Sequence, residues 1–166
     1  MTLTQTQQVS FADFVGRRHR DLLRFGMVLV GDARRTEDIV GDVLARAYER
    51  WDRIGGLDYP YAYVRRMVVN EYLSWRNRLK RTTLPGDLEP YTRQVPDVAG
   101  AYAVRAELIA RLRSLPRRQR AAVAMRYFED LDNAEIAEVL GCSVGTVRSH
   151  ISRALATLRI TMTEES

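Results

Sequence analysis

The side chains best suited to chemistry lie near the C-terminus, where two arginines and several hydroxyl groups recur on one predicted helix. They fall between the apolar positions of that helix and therefore share its free face. Guanidinium and hydroxyl groups at this spacing can hydrogen-bond to base edges and phosphates in a DNA major groove. The pattern predicts a DNA-reading helix. Its candidate contacts are Ser143, Thr146, Arg148, Ser149, Ser152 and Arg153.

The segment before this helix has the form of the first half of a helix-turn-helix. Ala137 and Leu140 are spaced to face a partner helix, and the small Ala137 allows close approach. Gly141 follows where a helix end needs a residue tolerant of left-handed backbone angles. Ser143 is predicted to cap the second helix, and Val147 to seal the corner between the two. A helical hairpin that serves packing alone is the alternative that this spacing leaves open.

The composition limits the chemistry that the chain can perform. Among 166 residues, 26 Lys and Arg stand against 21 Asp and Glu, and the net charge of +5 favours a polyanionic partner. The single cysteine, Cys142, excludes an intramolecular disulfide and suits a reducing cytosol. His19 and His150 lack a second ligand at metal spacing, and there is no Gly-rich phosphate loop or nucleophile–His–acid set. We therefore expect no metal, no cofactor and no enzyme activity.

Helical periodicity dominates the chain and predicts an all-α fold of two small domains. No apolar run reaches membrane-spanning length, so we expect a cytoplasmic protein without membrane insertion. Thr36 is the predicted cap of the second helix. The pattern predicts helices over 11–30, 35–51, 61–80, 104–114 and 116–128, followed by the motif pair. The predicted units are a domain at 1–81, a proline-containing flexible linker at 82–103, a domain at 104–160 and a tail at 161–166.

The third predicted helix is both basic and aromatic. Arg66, Asn70 and Ser74 fall on one side of it at helical spacing. Cations that follow a phosphate backbone, aromatic rings that stack on bases and an amide that reaches a base edge are what single-stranded DNA binding uses. The alternative is a solvated amphipathic helix whose aromatic rings pack into the domain. The residues concerned are Tyr59, Tyr61, Tyr63, Arg65, Arg66, Asn70, Tyr72, Ser74, Trp75, Arg76, Asn77, Arg78, Lys80 and Arg81, with Glu71 as the one acid among them.

Three stretches together resemble the extracytoplasmic-function (ECF) sigma factors of bacterial RNA polymerase, a group of the sigma-70 family. TEDIVGDVLARAYERW at 36–51 looks like the family's polymerase-binding helix. PYAYVRRMVVN at 60–70 is similar to the helix that opens the promoter −10 element. LPRRQR at 115–120 and RYFEDL at 126–131, running into the helix-turn-helix, resemble the domain that reads the −35 element.

The resemblance implies a sigma factor with a region 2-like bundle and a region 4-like helix-turn-helix domain joined by a linker. The implied partners are core RNA polymerase, through its β and β′ subunits, and promoter DNA in double- and single-stranded form, with an anti-sigma factor as a further candidate. The residues in the polymerase-binding position are Glu37, Asp38 and Asp42. Those in the −10 position are Tyr59, Tyr61, Tyr63, Arg65, Arg66, Asn70 and Ser74. Those in the −35 position are Ser143, Thr146, Arg148, Ser149, Ser152 and Arg153. The chain departs from the family at Gly41, where many members have Gln, and at Tyr63, where many have Trp.

The main alternative is a two-domain transcriptional regulator whose N-terminal domain senses a ligand or dimerises. The cationic aromatic helix argues against it, because a sensor domain needs no such face. The acid pairs Glu37-Asp38 and Glu129-Asp130 are adjacent in sequence and do not converge on one face. We expect them to be solvated helix starts and turns.

Overall fold

The computed structural model describes residues 8–82 and 101–164, and this part of the chain is helical with no strand. The predicted all-α class is confirmed. Residues 83–100 of the predicted linker lie outside the described residues, whereas 101–103 form the first turn of a helix. The last helix continues to Glu164 and so includes most of the predicted tail. The helices are α1 (Phe11–Val30), α2 (Ala33–Glu49), α3 (Trp51–Ile54), α4 (Pro60–Thr82), α5 (Ala101–Leu112), α6 (Arg117–Tyr127), α7 (Asn133–Leu140) and α8 (Val144–Glu164).

The turn between α1 and α2 is only two residues long. Gly31 ends α1 with a φ of 76°, a left-handed conformation that costs glycine little because it has no Cβ. Asp32 is extended and accepts a hydrogen bond from the Arg35 amide at 2.9 Å, so it caps α2. The prediction of Thr36 as the cap is wrong. Thr36 lies one turn inside the helix, buried, and its hydroxyl donates to the Asp32 carbonyl at 2.7 Å.

Helix α2 ends earlier than predicted, at Glu49, because Trp51 turns back into the core. Arg50 leaves the helical region, with φ −112° and ψ 16°. The Trp51 ring then packs 5.3 Å from Phe11 and 4.9 Å from Phe14, measured between ring centroids. Its indole N–H donates to the Val9 carbonyl at 2.7 Å. Both the ring and its polar atom are thereby satisfied, which a straight continuation of α2 would not allow.

Helices α1, α2 and α4 form the first bundle, closed at one end by the short α3. Their apolar stripes meet in a core with no exposed side chain. The glutamate of α4, Glu71, is also buried and accepts a hydrogen bond from Arg46 of α2 at 2.8 Å. The core residues are Phe14, Leu22, Phe25, Val28, Leu29, Ile39, Val40, Val43, Leu44, Ala47, Trp51, Ile54, Val64, Val68, Val69 and Tyr72.

Helices α5 to α8 form the second bundle, with α6 at its centre. Six consecutive residues of α6, from 120 to 125, are buried. Because successive helical residues point about 100° apart, six of them cover every side of the helix. Helix α6 therefore has no solvent-facing side along its middle: α7 and α8 cover part of it, and α1 and α4 of the first bundle cover the rest.

The two bundles pack directly against each other. Arg120 of α6 reaches the C-terminal end of α1, where its Nε donates to the Val28 carbonyl at 2.9 Å. This carbonyl belongs to the last turn of α1, which has no basic residue of its own. Arg120 thus supplies from the second bundle the cation that a helix C-terminus favours. Arg117 of α6 also crosses between the bundles and donates to the Tyr72 carbonyl, in the middle of α4, at 3.0 Å.

Candidate nucleic-acid interface

Each helix end in the helix-turn-helix is stabilised by residues close to it in sequence. Asp132 caps α7, and Glu135 completes a reciprocal capping box with it. Gly141 ends α7 with a φ of 65°, as predicted. The Ser143 hydroxyl accepts a hydrogen bond from the Thr146 amide at 3.1 Å, which confirms it as the cap of α8. Val147 has no exposed surface and seals the corner between the helices.

The structure brings the six predicted −35 contacts onto the exposed side of α8 and its first turn. All six side chains are exposed. Ser143 and Thr146 hydrogen-bond to each other through their hydroxyls at 2.9 Å, so they also hold the start of the helix. Arg148 and Ser152 lie one turn apart, as do Ser149 and Arg153, which gives two adjacent rows of donors. The helix therefore presents cations and hydroxyls together on its exposed surface.

His150 lies between this exposed side and the bundle. Burial lowers the pKa of His150 below its usual 6.5, and the cations Arg118 and Arg153 lower it further. The positive charge on the exposed side of α8 comes from its arginines.

The seven predicted −10 contacts fall into three groups: exposed, half-buried and bound to the second bundle. Tyr59, 78% exposed, and Asn70 are open to solvent. Ser74 is half-buried, and its hydroxyl donates to the Glu71 carbonyl. Tyr63 is half-buried against the core of the first bundle. The remaining three, Tyr61, Arg65 and Arg66, contact the second bundle.

Those three contacts involve residues that the sequence did not single out for function. Tyr61 Oη donates to Glu129 Oε1 at 3.1 Å, and Arg65 Nη1 donates to Glu129 Oε2 at 3.1 Å. Arg66 Nη2 donates to the Glu138 carbonyl, also at 3.1 Å. The expectation that Glu129 is solvated is wrong, because Glu129 is half-buried in this interface.

Arg18 of α1 is a further neighbour that sequence reasoning missed. Its guanidinium lies 3.6 Å above the centroid of the Tyr61 ring, a cation–π contact. Arg18 also pairs with Asp21 one turn along α1, at 3.2 Å. The i, i+3 pair is visible in sequence, but the stacking on Tyr61 is not, since α1 and α4 meet only in the folded bundle.

The three predicted polymerase contacts, Glu37, Asp38 and Asp42, are exposed together along α2. Beside them lies a shallow apolar depression between α1 and α2. Tyr48 lies at its edge and is largely exposed. The surface of α2 thus combines carboxylates with an apolar patch. The depression is lined by Phe11, Val15, Leu44, Ala45 and Tyr48.

The described part of the chain contains neither a metal-binding cluster nor a membrane-spanning helix. No group of three or more His, Cys, Asp or Glu side chains in residues 8–82 and 101–164 is arranged to hold a metal ion. Among the same residues, no helix is both long and apolar enough to cross a membrane.

Comparison with known proteins agrees with this architecture. The family model for sigma-70 region 4 matches residues 105–158. An RNA polymerase sigma-E factor from Streptomyces antibioticus is 35% identical over 157 residues, which are 95% of this chain and 87% of the relative. The ECF RNA polymerase sigma factor SigL of Mycobacterium tuberculosis is 32% identical over 150 residues, covering 86% of this chain and 83% of SigL. The chain belongs to the ECF sigma factors of the sigma-70 family.

A solved structure with the same fold is the sigma factor RpoE of Bartonella quintana, in a complex with the anti-sigma factor NepR. Its TM-score against this chain is 0.66 at 21% sequence identity, and the match covers 92% of this chain and 96% of RpoE. At that identity the likeness concerns the fold alone.

Proposed function

We propose that this chain binds core RNA polymerase, reads the −35 element with α8 and the −10 element with α4, and promotes melting of the promoter. The observation that carries the proposal is the exposed row of arginines and hydroxyls on α8, held by a fully capped helix-turn-helix. Such a helix suits direct readout of a major groove. Membership of a family whose relatives are named RNA polymerase sigma factors supports the same reading.

The −10 contacts are proposed for α4. Arg66 and Asn70 lie one turn apart, so an amide can reach a base that a neighbouring cation has positioned through its phosphate. Asn70 is already exposed. Glu71 does not oppose DNA on this helix, because it is buried and paired with Arg46 of α2. Of the proposed contacts on α4, Arg66 and Asn70 are thus exposed and share one side of the helix for opened DNA.

Polymerase binding is proposed for α2. Glu37, Asp38 and Asp42 are exposed carboxylates that favour a basic partner surface, and the adjacent apolar depression offers area to bury. The β and β′ subunits of core polymerase are the proposed partners. An anti-sigma factor is a further proposed partner, since RpoE has been solved with one.

The test separates opening of DNA from binding of duplex DNA. Asn70→Ala should lower transcription from a duplex promoter by core polymerase. A template with a pre-melted −10 bubble removes an unpairing cost of about 1–2 kcal/mol per base step and should restore part of the activity. Arg148→Ala is the matched control, because its defect in −35 binding should persist on the bubble template. Permanganate reactivity of the −10 region reports melting directly. Normal melting by the Asn70 variant would remove Asn70 from the proposed site.

A second measurement tests the class of protein. The free chain should bind promoter duplex weakly, and core polymerase should convert this into a tight, strand-opened complex. Tight and specific duplex binding by the free chain, with no association with polymerase, would instead indicate a conventional regulator with a sensing or dimerising N-terminal domain.

A further inference from the structure

Two of the proposed −10 residues, Tyr61 and Arg65, are already bound to an anion within the chain. Both oxygens of the Glu129 carboxylate are used, one by the Tyr61 hydroxyl and one by the Arg65 guanidinium, each at 3.1 Å. The side chains of Arg65 and Glu129 are only 13% and 15% exposed. Partial exclusion of water strengthens the attraction between such charges.

The surroundings form a site for an anion. Arg18 stacks on the Tyr61 ring from one side at 3.6 Å, and the Arg65 guanidinium carbon lies 5.5 Å from the ring centroid. Burial and the neighbouring Glu129 carboxylate raise the pKa of Tyr61 well above its usual 10.0, so the phenol keeps its proton and remains a donor. The site therefore offers a neutral O–H donor and a fixed guanidinium, with a second cation close by. We define the anion site as Arg18, Tyr61 and Arg65.

A phosphodiester can take the place of Glu129 in this site. Like a carboxylate, it presents two oxygens that share a negative charge, and arginine binds both groups with the same donor geometry. Arg66, the next cation along α4, is also engaged by the second bundle, through the Glu138 carbonyl at 3.1 Å. Helix α7 thereby lies across the same part of α4 that is proposed to bind the opened strand.

The packed arrangement leaves no room for DNA at the anion site. Glu129 uses the donors of Tyr61 and Arg65, and α4 and α7 are in direct contact. A phosphate can therefore reach these donors only when the two bundles move apart and the Glu129 contacts break.

We propose that Glu129 is a built-in competitor of DNA: in the free chain its carboxylate occupies the anion site that takes a phosphate of the opened −10 strand. The free chain is thereby held away from −10 DNA until polymerase separates the bundles. This proposal rests on the proposed function of α4. Glu129 acts on DNA binding only through the residues that it covers.

The variant that tests it is Glu129→Gln, which keeps the shape of the side chain and removes its charge. The matched control is Glu138→Gln, which removes the same charge from the same bundle. The Glu138 side chain is exposed, and its link to Arg66 runs through the backbone carbonyl, which the substitution leaves in place. Glu129→Asp keeps the charge on a shorter side chain and should give an intermediate result.

Binding of the free full-length proteins to a fluorescent single-stranded DNA of about 12 nucleotides is measured by anisotropy. We expect Glu129→Gln to bind about fivefold or more tightly than the unmodified chain, and Glu138→Gln to change binding less than twofold. Small-angle X-ray scattering should show a larger radius of gyration for Glu129→Gln alone. Circular dichroism establishes that each variant is folded. If Glu129→Gln does not fold, the DNA affinity of Glu129→Asp tests the proposal in its place.

Transcription with saturating core polymerase distinguishes failure of the Glu129 proposal from failure of the proposed function. The unmodified chain and its three variants should transcribe equally well, because polymerase has already separated the bundles. Equal strengthening by the Glu129 and Glu138 variants would reduce the effect to net charge and overturn the proposal, as would no strengthening at Glu129. Absence of polymerase-dependent transcription from the unmodified chain would overturn the proposed function instead.

Discussion

Replacing Gly31 with alanine should loosen the contact between the two bundles without touching any proposed DNA contact. Gly31 has a φ of 76°, where an L residue costs roughly 1–2 kcal/mol more than glycine. A Cβ there would also lie 2.7 Å from the Cγ and Cδ atoms of Arg113, and 2.9 Å from Arg120 Nη2. Such overpacking typically destabilises a fold by about 1–3 kcal/mol. The two effects together predict a loss of about 2–5 kcal/mol in the free energy of unfolding.

Gly141→Ala is the matched control. Gly141 has a similar φ of 65°, but a Cβ built there meets nothing within 4 Å. It should therefore cost only the conformational part, roughly 1–2 kcal/mol. The difference between the two variants isolates the packing of Arg113 and Arg120 against the end of α1.

Urea unfolding followed by two probes measures this difference. Both tryptophans, Trp51 and Trp75, precede residue 82, so their fluorescence reports the first bundle, whereas far-UV circular dichroism reports both bundles. Gly31→Ala should shift both signals, and scattering should show an expanded chain. Gly141→Ala should mainly shift the dichroism and leave the chain compact. An equal loss in the free energy of unfolding for the two variants, with equal compactness, would refute this prediction. It would mean that Arg113 and Arg120 make room for the added Cβ at no cost in free energy.

Three further predictions concern single positions. Arg148→Ala should weaken promoter binding by holoenzyme and relax preference at one −35 position by about 1–3 kcal/mol, as measured on a set of −35 substitutions; a uniform loss with a flatter salt dependence would indicate a phosphate contact instead. Gly41→Ala should raise the free energy of unfolding by about 0.5–1 kcal/mol, because Gly41 is exposed within α2 and a Cβ there meets nothing within 4 Å; a destabilised variant would contradict this. Tyr61→Phe should lose less free energy of unfolding than the unmodified chain between pH 9 and 11. Because the folded-state pKa of Tyr61 is raised above 10.0, the stabilising contribution of its protonated hydroxyl is present below pH 10 and is lost as the pH rises beyond it. Identical pH profiles for the two proteins would show that the Tyr61 hydroxyl does not stabilise the fold.

The parts of the structure that could be predicted from sequence are those determined by neighbours along the chain. The turn of the helix-turn-helix follows from Gly141, Ser143 and Val147, which act within a few residues of one another. The cap of α2 cannot be chosen from residue type alone, because Thr36 and Asp32 both have side chains that cap helices. The end of α1 decides it, since Asp32 directly follows the left-handed Gly31.

The parts that could not be predicted depend on distant residues. Glu129 looks like a solvated turn residue, yet its partners Tyr61 and Arg65 are 68 and 64 residues away. Arg120 similarly reaches across 92 residues to a backbone carbonyl of α1. Burial lowers the pKa of Arg120 to about 10, so the group stays charged at neutral pH although it is almost wholly enclosed. Sequence periodicity identifies helices and their apolar sides, but it carries no information on which polar groups meet between bundles.

The complete enclosure of the middle of α6 restricts how this chain can evolve. Its buried residues from 120 to 125 are packed by the second bundle on one side and by the first bundle on the other. A substitution that suits one neighbour must also suit the second, so compensating changes are required in both halves at once. Small residues such as Ala121, Ala122 and Ala124 leave the least room for drift, because any larger side chain separates the helices on at least one side. Substitutions in the two halves are therefore expected to occur in compensating pairs over evolutionary time.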